Sequence, residues 1–116
     1  MLNPLASRPA TSVAALHILL ALSEGDLHGC GIMQLVRRPS AEQYKMGPGT
    51  LYDNLAKLLE QGLVSGIPGQ QESGESRREY RLTAMGEKAL REEVHRWEQV
   101  VLIAKRRLAR LHERKA

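Results

Sequence analysis

Apolar positions recur along this chain at helical spacing in four stretches and alternate in two short ones, and the breaks between them are rich in glycine and proline. The first stretch, which Thr11 or Ser12 can cap, predicts a helix running to about Ser23. Val13, Leu16 and Leu20 form one stripe on it, while Ala15, Leu19 and Leu22 with Ile18 form another. A helix that is apolar on both sides in so small a protein needs two layers of cover, one from its own domain and one from a second subunit. Glu24-Gly25-Asp26 breaks it. Leu27-His28-Gly29 then leads into a short helix from about Cys30 to Arg37, with Ile32, Leu35 and Val36 apolar and Pro39 as the stop.

The third stretch, Met46 to Gly62, is the most informative. Gly47 suits a cap and Pro48 the first helical position, where a missing N–H costs nothing. Leu51, Leu55, Leu58 and Leu59 then make one stripe for a core. The opposite face carries Thr50, Asp53 and Lys57, with Tyr52 and Asn54 on the flanks. Such a helix, exposing hydrogen-bonding groups in its first turns, can lie in a groove and read it. Leu63 to Ile67 reads as a strand ended by Pro68, Gly69 to Ser76 as a polar loop, and Arg77 to Leu82 as a strand with Tyr80 and Leu82 on one face.

Thr83 caps the last and longest helix. Three residues on stands Gly86 instead of a glutamate, so the reciprocal capping box is absent. Leu90, Val94, Trp97, Val101, Ala104, Leu108 and Leu111 follow alternating steps of four and three, a heptad seam whose natural partner is another copy. With Leu16 of the first helix, these residues form the expected dimer interface. The order helix, helix, helix, hairpin is that of a winged helix-turn-helix, with the third helix in the recognition position. The expected fold is therefore mainly α with a small β-hairpin: a flexible arm over 1–10, a winged helix-turn-helix domain over 11–82 and a C-terminal dimerisation helix over 83–116.

Charge narrows this picture. The net charge is +4, but residues 1–44 hold three basic and three acidic side chains and residues 45–82 five of each, so the excess lies in residues 83–116, nine against five. With no net basic field over the winged region, DNA binding must rest on placed contacts. Lys45, Tyr52, Arg77 and Arg78 are the expected phosphate contacts, and Thr50, Asp53, Asn54 and Lys57 face base edges. The basic run Lys105 to Lys115 reads as a solvated face, not a lipid anchor. A single cysteine, Cys30, excludes an internal disulfide and suits a reducing cytoplasm; the expectation for it is a small buried filler. His17 is expected to pack with one nitrogen satisfied. No HExxH, P-loop or serine elbow occurs, and the four histidines lack partners at ligand spacing, so no enzyme, cofactor or metal is expected.

Three segments together resemble the PadR family of bacterial transcriptional regulators: LHG at Leu27 to Gly29, GTLY at Gly49 to Tyr52 continuing to Val64, and RREYRLTAMG at Arg77 to Gly86. Their order and spacing cover roughly residues 12 to 90, and the single long last helix matches the compact subgroup. The resemblance implies a homodimer whose last helix crosses to the partner's first helix, a pseudo-palindromic double-stranded operator, and repression as the usual direction; Gly49 joins the DNA-binding set through its motif. Cys30 stands where the family often has Tyr, and Asp53 where it often has Pro, which puts a carboxylate near the phosphates; Asp53 can accept from a cytosine N4 or exclude some sequences.

In multidrug-responsive members of that subgroup a tryptophan matching Trp97 stacks on flat aromatic ligands at the dimer axis. Here Trp97 with Val94, Val101, Ala15 and Leu19 is the candidate effector cavity, and Val101, where relatives can carry a carboxylate, favours neutral planar compounds. The residues equally allow Trp97 to fill the interface. The rival reading of the whole chain is a protein-interaction module that uses the winged scaffold and heptad helix without sensing a ligand.

Overall fold

The computed structural model of the chain describes residues 12–40, 44–68 and 78–115. Four helices and three strands occur among them: α1 (Val13–Leu22), β1 (Leu27–His28), α2 (Gly29–Ser40), α3 (Pro48–Glu60), β2 (Val64–Pro68), β3 (Arg78–Leu82) and α4 (Ala84–Lys115). The expected arm, the loop between β2 and β3, Arg77 and Glu42 lie outside the described residues.

Ser12 caps α1, its hydroxyl accepting from the Ala15 N–H at 3.0 Å. Ala14, Ala15, Ile18, Leu19, Ala21 and Leu22 are buried, whereas Val13 and Leu20 are exposed, so only one side of the two-sided helix is covered within the chain. The core is completed by Ile32 and Val36 of α2, Leu51, Leu55 and Leu58 of α3, Val64, Tyr80 and Leu90. These side chains meet where α1, α2 and α3 converge, and the sheet closes one end.

Two elements differ from the sequence expectation. α2 runs through Pro39 to Ser40, because a proline in a last turn removes one backbone donor without unwinding the turn that holds it. Leu27 and His28 form a third strand, pairing antiparallel with Tyr80 and Glu79, and the sheet order is β1-β3-β2. A two-residue strand is too short to show alternation. β2 and β3 pair antiparallel from Val64 opposite Leu82 to Pro68 opposite Arg78, as the hairpin reading requires.

The elements are joined by backbone-specific devices. His28 Nδ1 accepts from the Gly31 N–H at 3.1 Å, so the residue that ends β1 also caps α2. Gly62 has φ +76°, the left-handed conformation that ends α3 and turns the chain into β2. Thr83 Oγ1 donates to the Gly62 carbonyl at 2.7 Å and accepts from the Gly86 N–H at 3.0 Å, pinning the start of α4 to the end of α3. Gly86 is needed there: a Cβ on it would lie 2.0 Å from the Leu63 carbonyl oxygen.

α4 leaves the domain. Its 32 residues span about 48 Å at 1.5 Å per residue. The radius of gyration is 17.5 Å, against roughly 13 Å for a compact chain of this length.

Candidate nucleic-acid interface

α3 is held by its leucine stripe, so its outward face is fixed by the core. Leu51, Leu55 and Leu58 are buried, Leu59 is half-buried, and Thr50, Asp53 and Lys57 are exposed on the other side together with Gly49. Lys45, just before the helix, and Arg78, at the start of β3, are also exposed. Thus Thr50, Asp53 and Lys57 share one free face, flanked by Lys45; Arg77 lies outside the described residues.

Tyr52 is half exposed, and its hydroxyl comes so close to Gly29 that a Cβ there would lie 2.4 Å from it. The hydroxyl end of the ring therefore lies against the first turn of α2 while about half of the residue stays exposed, a mixed placement that suits an amphipathic side chain. The glycine of the LHG segment is what admits it.

Asn54 departs from expectation. Its Oδ1 accepts from the Ser12 hydroxyl at 3.1 Å and its Nδ2 donates to the Thr50 carbonyl at 2.8 Å. The side chain points towards α1, and both polar ends are engaged, so it does not join the free face with Asp53 and Lys57. Nothing in the local pattern could have paired it with a residue 42 positions away.

The strand flank is held by Arg81, whose guanidinium grips Asp26 through three contacts of 2.7–3.2 Å. The hydrogen bond from Arg81 holds the Asp26 carboxyl below the ordinary carboxylate value of 3.8, with the Arg81 charge adding to it, and the same bond raises Arg81. This bridge ties β3 to the turn that precedes β1, and no local pattern signals it, since its ends stand 55 residues apart.

On α4, Val94, Trp97, Val101, Ala104, Leu108 and Leu111 are all exposed within the single chain, but Leu90 is buried in the domain's own core. The seam thus begins one step later than its spacing implied, because the first turns of α4 pack on the winged domain. Leu16 is half-buried against that core, and Val13 and Leu20 supply more of the open face of α1.

The effector lining expected from the sequence needs a similar correction: Leu19 is 0% and Ala15 7% exposed, both inside the core, so neither can face a ligand between subunits. Trp97 is 42% exposed, with its indole N–H donating to Glu93 Oε2 at 3.2 Å. Glu93 is itself buried and also receives Arg96. An open cleft of about 580 Å³ lies nearby between α1 and α4, lined by Leu20, Leu82, Leu90 and Val94 with the Glu87–Arg91 ion pair on its rim.

His17 packs with its ring stacked on Tyr44, centroids 4.5 Å apart. Cys30 is exposed, not a buried filler, because it falls on the outer side of the first turn of α2. Among the described residues no cluster of ligating side chains could hold a metal ion, and no helix is long and apolar enough to cross a membrane.

Three helices against a small antiparallel sheet, with the third helix presenting a free polar face beside a hairpin, define a winged helix-turn-helix protein. The chain belongs to the PadR-like family of transcriptional regulators, whose family model matches residues 18–92. It is 37% identical over 79 residues to a transcriptional regulator of Mycobacterium tuberculosis, covering 67% of this chain and 69% of that protein. A 37.1 kDa protein from a Streptomyces fradiae transposon is 35% identical over 85 residues, which is 73% of this chain but 23% of that protein's length.

Among solved structures, a transcriptional regulator from Clostridium thermocellum superposes with a TM-score of 0.72 at 30% identity, covering 81% of this chain and 90% of that one. Bacillus subtilis PadR in complex with operator DNA superposes with a TM-score of 0.66 at 23% identity, covering 72% of this chain and 47% of that one.

Proposed function

We infer that this chain is a sequence-specific DNA-binding regulator that acts as a homodimer on a pseudo-palindromic operator in the cytoplasm. The observation that carries the reading is the free face of α3: Thr50, Asp53 and Lys57 stand together, exposed, on a helix whose opposite face is locked in the core. Lys45, Tyr52 and Arg78, with Arg77, contact phosphates and fix register, and the three α3 side chains meet base edges. Bacillus subtilis PadR, of the same fold, binds operator DNA.

The open apolar faces support the dimer. Val13 and Leu20 of α1 and the Val94–Leu111 seam of α4 are apolar positions left exposed among the described residues. The first half of α4 holds four acidic and three basic residues and the second half one acidic and six basic, so antiparallel crossing of two copies keeps the strongly basic second halves apart and sets each beside a slightly acidic first half.

The same axis is the place for a small, planar, neutral aromatic effector, and its release of the protein from DNA makes the chain a repressor. Trp97 is the support for this, since Glu93 holds the indole N–H while much of the ring stays open, flanked by Val94 and Val101.

Gel shift of the chain on its own upstream region against random duplex, repeated across salt, tests the reading. With two or three phosphates neutralised per subunit, the slope of log affinity on log salt should be about −4 to −5. Equal binding to random duplex, or affinity indifferent to salt, overturns it. Quenching of Trp97 fluorescence by planar phenolic compounds, accompanied by loss of the shifted band, is expected for the effector; no response to any planar compound by an intact dimer overturns that part.

A further inference from the structure

We propose that Asn54 is a positioning residue that couples α1 to the DNA-reading helix, and does not itself read bases. This rests on the operator-binding reading above and assigns a control element to the same surface. Four groups make one continuous hydrogen-bond chain. The Ala15 N–H donates to Ser12 Oγ at 3.0 Å, the Ser12 hydroxyl donates to Asn54 Oδ1 at 3.1 Å, and Asn54 Nδ2 donates to the Thr50 carbonyl at 2.8 Å.

A hydroxyl has one proton, and here it is directed at Asn54 while a lone pair caps α1. The amide orientation is set in turn, because only its nitrogen can face the Thr50 carbonyl. To read an adenine with paired donor and acceptor, Asn54 would have to turn both atoms away from Ser12 and Thr50. In place it fixes the first turn of α3, the turn that carries Thr50, against the first turn of α1.

The other side of α1 makes this a control point. Val13 comes immediately after Ser12 and is 46% exposed, on the apolar face left open with Leu20. Farther along α1, His17 stacks on Tyr44 at 4.5 Å, one residue before Lys45. α1 therefore grips α3 at its approach and at its first turn, and anything that seats on the Val13–Leu20 face bears on the element that aims Thr50. A shift of α1 either carries the reading helix with it or breaks the Ser12–Asn54 bond.

The test is a double-mutant cycle on operator affinity, with wild type, Ser12→Gly, Asn54→Ala and the pair, each measured on the operator and on a panel of single base-pair variants of one half-site. Glycine at a helix cap costs far less than alanine, so Ser12→Gly removes the hydroxyl while α1 stays folded, and thermal unfolding of each variant checks this. Each single change should weaken operator binding about fivefold, the loss of one ordinary hydrogen bond. The double variant should be no weaker than either single one, the order of preference over the base-pair panel should be unchanged, and Ser12→Thr should bind as wild type.

Asn54→Ala that relaxes discrimination at one base pair, with Ser12→Gly matching wild type, overturns the proposal and makes Asn54 a reader. Additive losses in the double variant overturn it as well. Wild type binding operator no better than random duplex overturns the operator reading first, and the coupling with it.

Discussion

Two glycines that look alike in the sequence face different neighbours, and the difference decides what their substitution does. A Cβ on Gly86 would meet backbone, the Leu63 carbonyl oxygen at 2.0 Å, and also Leu82 Cδ1 at 2.8 Å. Backbone cannot step aside, so α4 must shift from the end of α3 and the Thr83 bonds to Gly62 and Gly86 go with it. Gly86→Ala gains about 1 kcal/mol of helix propensity and loses about 2–3 kcal/mol through overpacking, so a net fall in the unfolding midpoint is expected at fixed protein concentration.

A Cβ on Gly29 meets the far end of a movable ring instead, at 2.4 Å from the Tyr52 hydroxyl. Gly29→Ala should hold its unfolding midpoint close to wild type and displace Tyr52, so that operator affinity falls about as much as in Tyr52→Phe, roughly fivefold for one hydrogen bond to a phosphate. Titration of both variants on one operator fragment checks this: Gly29→Ala binding as wild type while Tyr52→Phe is weakened would show that the hydroxyl keeps its phosphate when displaced.

Among the elements, the strand flank hangs on one ion pair that titrates. The Arg81 hydrogen bond holds the Asp26 carboxyl below 3.8, so the charged form is favoured in the folded state. A depressed carboxyl stabilises the fold above its unfolded value, and the contribution disappears as pH falls through the folded value. Asp26→Asn should therefore be less stable than wild type from neutral pH down to the carboxylate range, with the gap closing only below about pH 4. Unfolding curves at a series of pH values check it; a gap independent of pH down to the most acid point would mean that the substitution costs packing, not charge. Because both side chains are reached by solvent, the effect should also shrink in high salt.

Elements were legible in the sequence where their signal was local. The leucine stripe and Gly47-Pro48 start of α3, the Ser12 cap and the heptad tail of α4 each depend on neighbours within a turn or two, and they stand where periodicity put them. β1, the Asp26–Arg81 pair and the Ser12–Asn54 bond each join residues more than 40 positions apart, and no periodicity encodes them. The misplacement of Ala15 and Leu19 has the same origin: both faces of α1 are apolar, and only the packed neighbours decide which one turns inward.

At the scale of the molecule, there is no net charge ahead of α4, since residues 1–44 hold three basic and three acidic side chains and residues 45–82 five of each. On the proposed reading, a single copy would offer a few phosphate contacts and one three-residue reading face, which is little to hold a duplex. In the proposed dimer, two copies joined through α4 would make binding of the second half-site an intramolecular event, and linkage of this kind raises affinity by about 10²–10⁴ without any new contact. The seam should matter to operator binding as much as the reading helix does. Val101 and Leu108 are exposed on α4 well beyond the winged domain, so aspartate at both, Val101→Asp with Leu108→Asp, removes the seam without touching the core. This variant should sediment as a folded monomer, lose about a hundredfold or more in operator affinity, and show a salt slope of about −2, half that of the dimer, because each protein then neutralises half as many phosphates. Lys57→Ala in the intact dimer should weaken binding with the dimer's steep slope retained, since a base contact releases no counterions. A folded monomer with undiminished affinity would mean that one winged domain is sufficient, and the heptad seam would then serve some partner other than a second copy.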